Sequence, residues 1–573
     1  MAQQSADVVI IGVGGAGGIL AAELGKAGLR VVGLERGPRL ETKDFEPHDE
    51  LRFFQRMDLR PDPKRQPVTY RPNENTRAVP IGVINNGNQA GGGTVHYGTM
   101  SWRYHEEIFR ERSNAIERYG ADAIPEGSGL MDWPLTYADL EPFYDQAEYE
   151  LGVGGKAGNI QGRIQEGGNY FESPRQREYP LPPVVDDNSC TIFDDAARSL
   201  GYHPFPTPKA IATQPYRGRP GCTYCGFCQA FGCHVGAKSS ILVTKLPEAD
   251  ATGNFELRTG SMVYRINSDN SGRITGVSYY GPGREDTTID ADLVILSPAV
   301  YDCTRLLLLS ATDRYPLGLA NSSGLVGKYF FAHGGARVMV GFDDKYIHVN
   351  MGPNNGKHTI DDYEADNFDH GGLGFLQGGA ISVGTIALDG GPIGVVQGMN
   401  PPPGMARWGA PFRDFFAKYY ARHLSISNFT ELMPWPDQYV DLDPNVRDEF
   451  GLPAPRITHD WRKPSEIAKV QFLLERELEI GRAMGGSVVW DSGMPGPGPG
   501  AHHAGGTRMS ANPREGVVNR YSQSWDHPNL FIMGTATYPT LSGHNPTLTL
   551  QALAYYTADA IVNRYIRNPG PLV

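Results

Sequence analysis

The stretch ADVVIIGVGGAGG, residues 6–18, decides how this chain folds. Val8 to Ile11 is a short apolar run that reads as a buried parallel strand. Gly12, Gly14 and Gly17 follow at G-x-G-x-x-G spacing, and Ile19 to Ala27 reads as a helix. Gly12 permits the tight turn, Gly14 lets backbone approach a pyrophosphate, and Gly17 lets the helix pack on the strand. The helix N-terminus then offers free N–H groups and the positive end of its dipole to the phosphates. A second apolar strand, Leu29 to Leu34, ends in Glu35, placed where an acid accepts ribose hydroxyls. A lone glycine motif is a weak signal. Strand, glycines, helix, strand and acid in register are a strong one.

Composition bounds the rest. At 573 residues the chain is long for one core, so two intimately packed domains are expected. Its 71 Gly and 44 Pro indicate many loops rather than disorder, since no stretch is both long and low in complexity. A formal net charge of −12 with no basic run argues against nucleic acid as a partner. Nothing approaches the 18 or so consecutive apolar residues of a membrane span. The N-terminus lacks a cationic n-region, and its first apolar run is committed to the nucleotide fold. No cleaved signal is therefore expected, which makes the cytoplasm the default location.

Along the chain, residues 37–80 are rich in Pro, Arg and Asp and read as surface loop. Residues 105–150 read as helical, with one helix starting after Thr136, and 160–220 as loop-rich. FELRTGSMVYRI (255–266) is strand-like, and ADLVILSPA (291–299) is a buried strand followed by a helix, DCTRLLLLSA. Residues 330–450 alternate short apolar strands with Gly/Pro turns, which suits an antiparallel sheet. An amphipathic helix is expected over 464–485, then the strand NLFIMG and the helix TLTLQALAYYTADAIVNRYI. The fold class expected is α/β (α+β overall): a Rossmann-type cofactor domain interrupted by a substrate domain with a mainly antiparallel sheet. The boundaries expected are 1–104, 210–325 and 495–573 for the first, and 105–209 and 326–494 for the second.

The N-terminal fingerprint, DWPLTYADLEPFY (132–144), the helix after ADLVILSPA, HHAGGTRMS (502–510) and SGHNPTLT (542–549) together resemble the glucose–methanol–choline (GMC) oxidoreductases. The similarity runs through nearly the whole chain and is strongest at its ends. It is closest to the flavoprotein subunits of bacterial sugar, gluconate and glycoside dehydrogenases, with pyranose oxidase as a relative. The resemblance implies FAD and oxidation of a CH–OH group by hydride transfer to flavin N5. It assigns Gly12, Gly14, Gly17, Glu35, Gly92, Gly93, His96 and Val263 to cofactor binding, with Pro546, Thr547 and Thr549 starting a helix aimed at the flavin.

It also assigns the chemistry. A histidine four residues before the Thr of G-T-x-M falls on His503, and the second catalytic position falls on Asn545. A neutral imidazole suits removal of the hydroxyl proton near neutral pH, and an amide can orient the same oxygen. The flanking His502 and His544 are candidates for substrate contact. His333, in VGKYFFAH, falls where the family has its own histidine, and a structural role is expected there. In NQAGGGTVHYGTMSWRYH (88–105), His96 matches the histidine that some relatives bond covalently to the flavin, although His96-Tyr97 stands where His-Trp is usual. The alternative is a histidine packed beside the dimethylbenzene ring.

Cys222, Cys225, Cys228 and Cys233 hold four of only six cysteines, as C-x2-C-x2-C-x4-C. Three readings stay open: an iron–sulfur cluster, which such close thiols suit and some relatives carry; zinc; and disulfides or plain buried thiols. The expected function is a sugar-type dehydrogenase passing electrons to a small carrier, quinone or cytochrome subunit. A small partner subunit with an export signal would place it at the periplasmic face of a membrane. An oxygen-using oxidase is the alternative, and a non-catalytic flavin-binding subunit a third.

Overall fold

The computed structural model describes residues 5–46, 49–82, 86–353, 355–384 and 391–572. The opening strand forms as Ser5–Ile11, with Val8 to Ile11 buried. It runs parallel to Val31–Leu34 on one side and to Asp286–Leu296 on the other. That double cover is why its apolar run is continuous rather than alternating. The helix Gly17–Lys26 returns across the sheet with Ile19, Leu20 and Leu24 fully inside. Close approach is possible because Gly17 has no Cβ: one placed there would sit 2.1 Å from the Gly12 carbonyl oxygen.

The sheet then gathers distant segments. Phe255–Arg258 adds parallel to Val31–Leu34, and Met262–Ser268 and Ile274–Tyr280 form an antiparallel extension onto the first half of Asp286–Leu296. The last half of that strand pairs in parallel with Leu530–Ile532. The cofactor fold is therefore begun at one end of the sequence and closed near the other.

A second sheet has six strands, all antiparallel, in the order Val488–Asp491, Arg337–Gly341, His423–Thr430, Gly379–Gly384, His358–Ile360, Phe205–Pro206. The long helix Pro464–Ala483 covers it with Leu473 and Ile480, in a core separate from the first. The α/β class with an antiparallel second sheet is what the sequence pattern predicts. Among the described residues, no helix is long and apolar enough to cross a membrane.

Three coarse expectations need correction. Residues 37–80 are not all surface loop: Phe53, Phe54 and Leu59 are buried, and Thr69–Arg71 and Val79–Pro80 join a small sheet with Tyr439–Arg447 and Pro453–Thr458. The charged composition hid these few anchoring side chains. Within 330–450, the helices Pro392–Gly398 and Gly409–Tyr419 interrupt the strands. Within 105–150, the chain is helical in separate pieces. The last, Tyr137–Leu151, starts at a capping box in which Thr136 and Asp139 exchange side-chain and backbone hydrogen bonds.

Candidate active site

Both ends of the chain open onto one cavity of about 730 Å³, within the range of small-molecule sites. Gly12, Gly14, Glu35, Gly92, Gly93, His96, Val263, Pro546 and Thr547 line it, together with His502, His503 and Asn545. Gly17 stands behind the glycine turn rather than in the wall. The backbone at Gly12 and Gly92 is left-handed (φ +83° and +55°), and a Cβ on Gly92 would lie 2.9 Å from the Gly14 Cα. The two loops thus touch, backbone to backbone, and together form a cradle with no side chains. The Glu35 carboxylate accepts N–H bonds from Val13 (3.1 Å) and Gly37 (2.9 Å), which fixes it at the cavity edge. The helix Thr547–Ala560 starts at Pro546, so its positive end faces the opposite wall.

His96 follows the short helical turn Gly92–Val95 and is buried, with no hydrogen-bond partner on Nδ1. Burial, with Arg60 and Lys238 nearby, pushes its pKa down to about 3. The ring is therefore neutral and presents a bare or unsatisfied nitrogen, the state that bonding to an electrophilic carbon requires. The Ser261 hydroxyl, also on the cavity wall, is likewise buried without a partner. Unpaired polar atoms beside a glycine cradle, a fixed acid and a helix N-terminus fit a dinucleotide such as FAD.

At the other end of the cavity the two adjacent histidines diverge. They lie in the strand Ala501–Ala504, whose register against Phe331–His333 shifts by one residue at this place. His502 Nε2 is 3.0 Å from Asn545 Nδ2, and its Nδ1 is 2.8 Å from His333 Nδ1. His503 turns away: its Nε2 contacts the Gly500 carbonyl at 3.1 Å, and its ring packs beside Tyr301 and Phe330. The expected pairing of His503 with Asn545 is thus replaced by His502 with Asn545. His502 is also a non-glycine residue at φ +58°, a strained conformation that tends to persist at working sites. Burial, with His333 and His503 close by, holds its pKa well below the usual range. It is neutral at neutral pH.

Asn545 is held by a residue that the motifs do not flag. Trp102 donates its indole N–H to Asn545 Oδ1 (2.9 Å), and its ring stacks on His544 at 4.3 Å. His544 therefore faces away from the cavity, toward Asp361 (3.0 Å). Asp361 also meets His105 (3.1 Å) and the Asn169 amide (2.6 Å). With three N–H groups converging on it, this buried carboxylate is satisfied by the protein and serves as a brace under the Asn545 loop.

Sequence models of the GMC oxidoreductase family match residues 17–334 and 437–554. The chain belongs to the GMC oxidoreductases. It is an FAD-dependent oxidoreductase. Gluconate 2-dehydrogenase flavoprotein from Pantoea cypripedii is 35% identical over 99% of this chain and 95% of its own length. A 2-methyl-1,2-propanediol dehydrogenase from Mycolicibacterium austroafricanum is 31% identical over 98% and 95%, and the fructose dehydrogenase large subunit from Gluconobacter japonicus 28% over 98% and 98%. Among solved structures, formate oxidase from Aspergillus oryzae superposes with a TM-score of 0.63 at 15% identity, covering 99% of both chains. At that identity it supports the fold alone.

This GMC oxidoreductase carries its four clustered cysteines beside the His96 loop. All four thiols are free and half-buried. Lys238, buried among them, donates to the carbonyls of Cys228, Phe231 (2.8 Å) and Val95 (3.2 Å), and Ala230 N–H reaches the His96 carbonyl (2.8 Å). Burial pushes Cys222 up to about 11 and Cys228 to about 12, with the neighbouring thiols adding to both. Among the described residues, no three of the sulfurs lie within 4.8 Å of one another. Tetrahedral zinc, with Zn–S near 2.3 Å, needs sulfurs about 3.8 Å apart. The sulfurs therefore do not sit as a tetrahedral zinc site holds them, and none of the four is in a disulfide.

Proposed function

We propose that this enzyme oxidises the CH–OH group of a neutral, sugar-type polyol, with His502 as the base and Asn545 orienting the hydroxyl. The observation that carries the reading is the 3.0 Å His502–Asn545 pair at the cavity wall. FAD, when bound, supplies the hydride acceptor. His502 Nε2 takes the hydroxyl proton, and the Asn545 amide N–H donates to the same oxygen. Trp102, fixed on His544, keeps that amide from rotating.

The substrate class follows from the lining. Gln229, Asn355, Thr99, Met100 and Phe429 share the wall with the two histidines, and the Asn355 amide donates to Gln229 Oε1 (3.0 Å). Amides and an aromatic face suit hydroxyls and sugar C–H groups. Among the described residues, the cavity's Arg, Lys, Asp and Glu side chains are Glu35, Arg36, Asp302 and Arg305. Arg36 pairs with Asp302 (3.1 Å) and Arg305 with Asp448 (2.7 Å), at the nucleotide end. A sugar acid would bury its carboxylate at the histidine end without a cation, which is costly. The reading therefore favours a neutral substrate, although one relative is named for gluconate. Anaerobic mixing with neutral aldoses, ketoses, polyols and glycosides should bleach the flavin, and sugar acids should do so much more slowly. Bleaching by gluconate alone would overturn the substrate class.

The acceptor proposed is a carrier, quinone or cytochrome subunit rather than oxygen, with an iron–sulfur cluster on the four cysteines passing electrons outward. Its support is the direct hydrogen bonding between the cysteine segment and the loop of His96. The oxidase reading rises if the cysteines hold no iron. We also propose the His96–flavin bond, which predicts that the yellow colour stays with acid-precipitated protein. A yellow supernatant over a colourless pellet rejects it.

A further inference from the structure

We infer that Cys190, His358 and Asp186 form a binding site for a zinc-class divalent cation, away from the flavin cavity. One ligand atom from each, the Cys190 sulfur, a His358 ring nitrogen and an Asp186 carboxylate oxygen, lies within 4.8 Å of the other two. Thiolate, imidazole and carboxylate are the donors zinc takes, at about 2.0–2.3 Å, so small side-chain movements close this set around one ion. None of the three residues lines the flavin cavity.

Three segments bring them together. The helix Asn188–Ser199 packs Phe193 and Ala197 into the second core, and a spacing of four puts Cys190 and Asp194 on one of its faces. Asp187 caps this helix by accepting the Ser189 N–H (2.9 Å), and pairs with Lys357. Its neighbour Asp186 is left at the entrance with 58% of its side chain exposed, whereas Cys190 is buried. His358 opens the strand His358–Ile360, between Phe205–Pro206 and Gly379–Gly384, and is buried too.

His358 is oriented as metal-bound histidines are. Its Nδ1 lies 2.8 Å from Asp194 Oδ1, in the place of the outer carboxylate that fixes the direction of a ligating ring. Its Nε2 lies 2.9 Å from Asp186 Oδ1. An ionised carboxylate only accepts, so both ring nitrogens carry hydrogen, and the ring is a cation held between two anions. A divalent ion arriving from the Asp186 side takes Nε2 in place of its proton and takes the Cys190 sulfur as thiolate. Two protons leave as two positive charges arrive, so the charge of the place does not change. That balance matters, because added net charge is costly where solvent is excluded. Asp194 stays on Nδ1, and water completes the tetrahedron on the exposed side. The ion thereby fastens the loop of Asp186, the helix and the strand to one another.

The same side chains also hold together as an ion triad, so the test reads binding rather than contact. FAD-loaded enzyme, freed of loosely held metal by a chelator, is titrated with Co²⁺ as a coloured stand-in for zinc. Native protein should bind about one ion per chain and release about two protons, with the spectrum of tetrahedral cobalt and a thiolate charge-transfer band. Cys190→Ser should lose that band and Cys228→Ser should keep it, which separates this site from the four clustered cysteines. Asp194→Asn should weaken binding about 10- to 100-fold, as loss of an outer partner does. Asp186→Asn, at the exposed entrance where folding is not at stake, should weaken it at least as much. Zinc should raise the unfolding temperature of the native enzyme and leave that of Cys190→Ser unchanged. No stoichiometric binding by native enzyme, or native affinity in Asp186→Asn, would overturn the site. A charge-transfer band kept in Cys190→Ser and lost in Cys228→Ser would place the ion on the clustered cysteines, which also overturns it.

Discussion

His502→Ala should slow anaerobic flavin reduction by about 10² to 10⁴-fold, the contribution of a positioned general base, while the flavin stays bound. The same change at His503 should cost far less. Geometry makes the difference. His502 reaches Asn545 and His333, whereas His503 Nε2 is engaged by the carbonyl of Gly500. His503→Ala should instead loosen the wall formed with Tyr301 and Phe330, and appear mainly as a raised apparent substrate constant. A fall in kcat and kcat/KM together marks an interaction made in the transition state, and a KM effect alone marks uniform binding. If His503→Ala shows the large kcat loss and His502→Ala does not, the base is His503.

Anaerobically purified protein should hold about three or four irons per chain with matching sulfide, as cuboidal clusters bound by a few thiolates do. Cys228→Ser should lose that iron while keeping FAD. It should also uncouple the half-reactions: flavin reduction by substrate continues, but transfer to a protein or quinone acceptor collapses. The arrangement explains why. The four free thiols surround Lys238, whose ammonium contacts the Val95 carbonyl, one residue before His96. That ammonium offsets thiolate charge in a buried setting, where unpaired thiolate is unfavourable. Full flavin occupancy with iron near zero would reject the cluster and favour oxygen as the acceptor.

Much of the fold was legible because it is written locally. The residues from Val8 to Glu35 specify strand, turn, helix and acid by spacing alone, and the structure keeps each of them in place. The capped helix after Thr136 was legible for the same reason. That His and Asn side chains line one end of the cavity was also readable, from HHAGGTRM and SGHNPT. Which histidine faces Asn545 was not. Counting four residues back from Thr507 gives His503, but Gly505 and Gly506 are both left-handed (φ +77° and +90°). His502 is left-handed too, and its strand shifts register against Phe331–His333, which leaves its ring beside Asn545. Trp102 lies outside such reasoning. Trp102 meets Asn545 across 443 positions of sequence, and no local pattern announces a contact of that kind. The surface reading of residues 37–80 failed for a different cause: average composition outweighed the few apolar side chains, among them Phe45, Phe53, Phe54, Leu59 and Val68, that tie that segment to the core.

Everything proposed for this cavity depends on its taking a proton from a neutral substrate's hydroxyl and a hydride from the carbon that bears it. Stopped-flow anaerobic flavin reduction by the best neutral substrate, set against the same compound carrying deuterium on the oxidised carbon, reads the hydride transfer, and the base variant reads the proton transfer. Native enzyme should bleach completely, and more slowly with C–D than with C–H. His502→Ala should give a slow but still isotope-sensitive reduction. A flavin that no neutral alcohol or sugar bleaches, in protein with full FAD occupancy, would contradict the assignment.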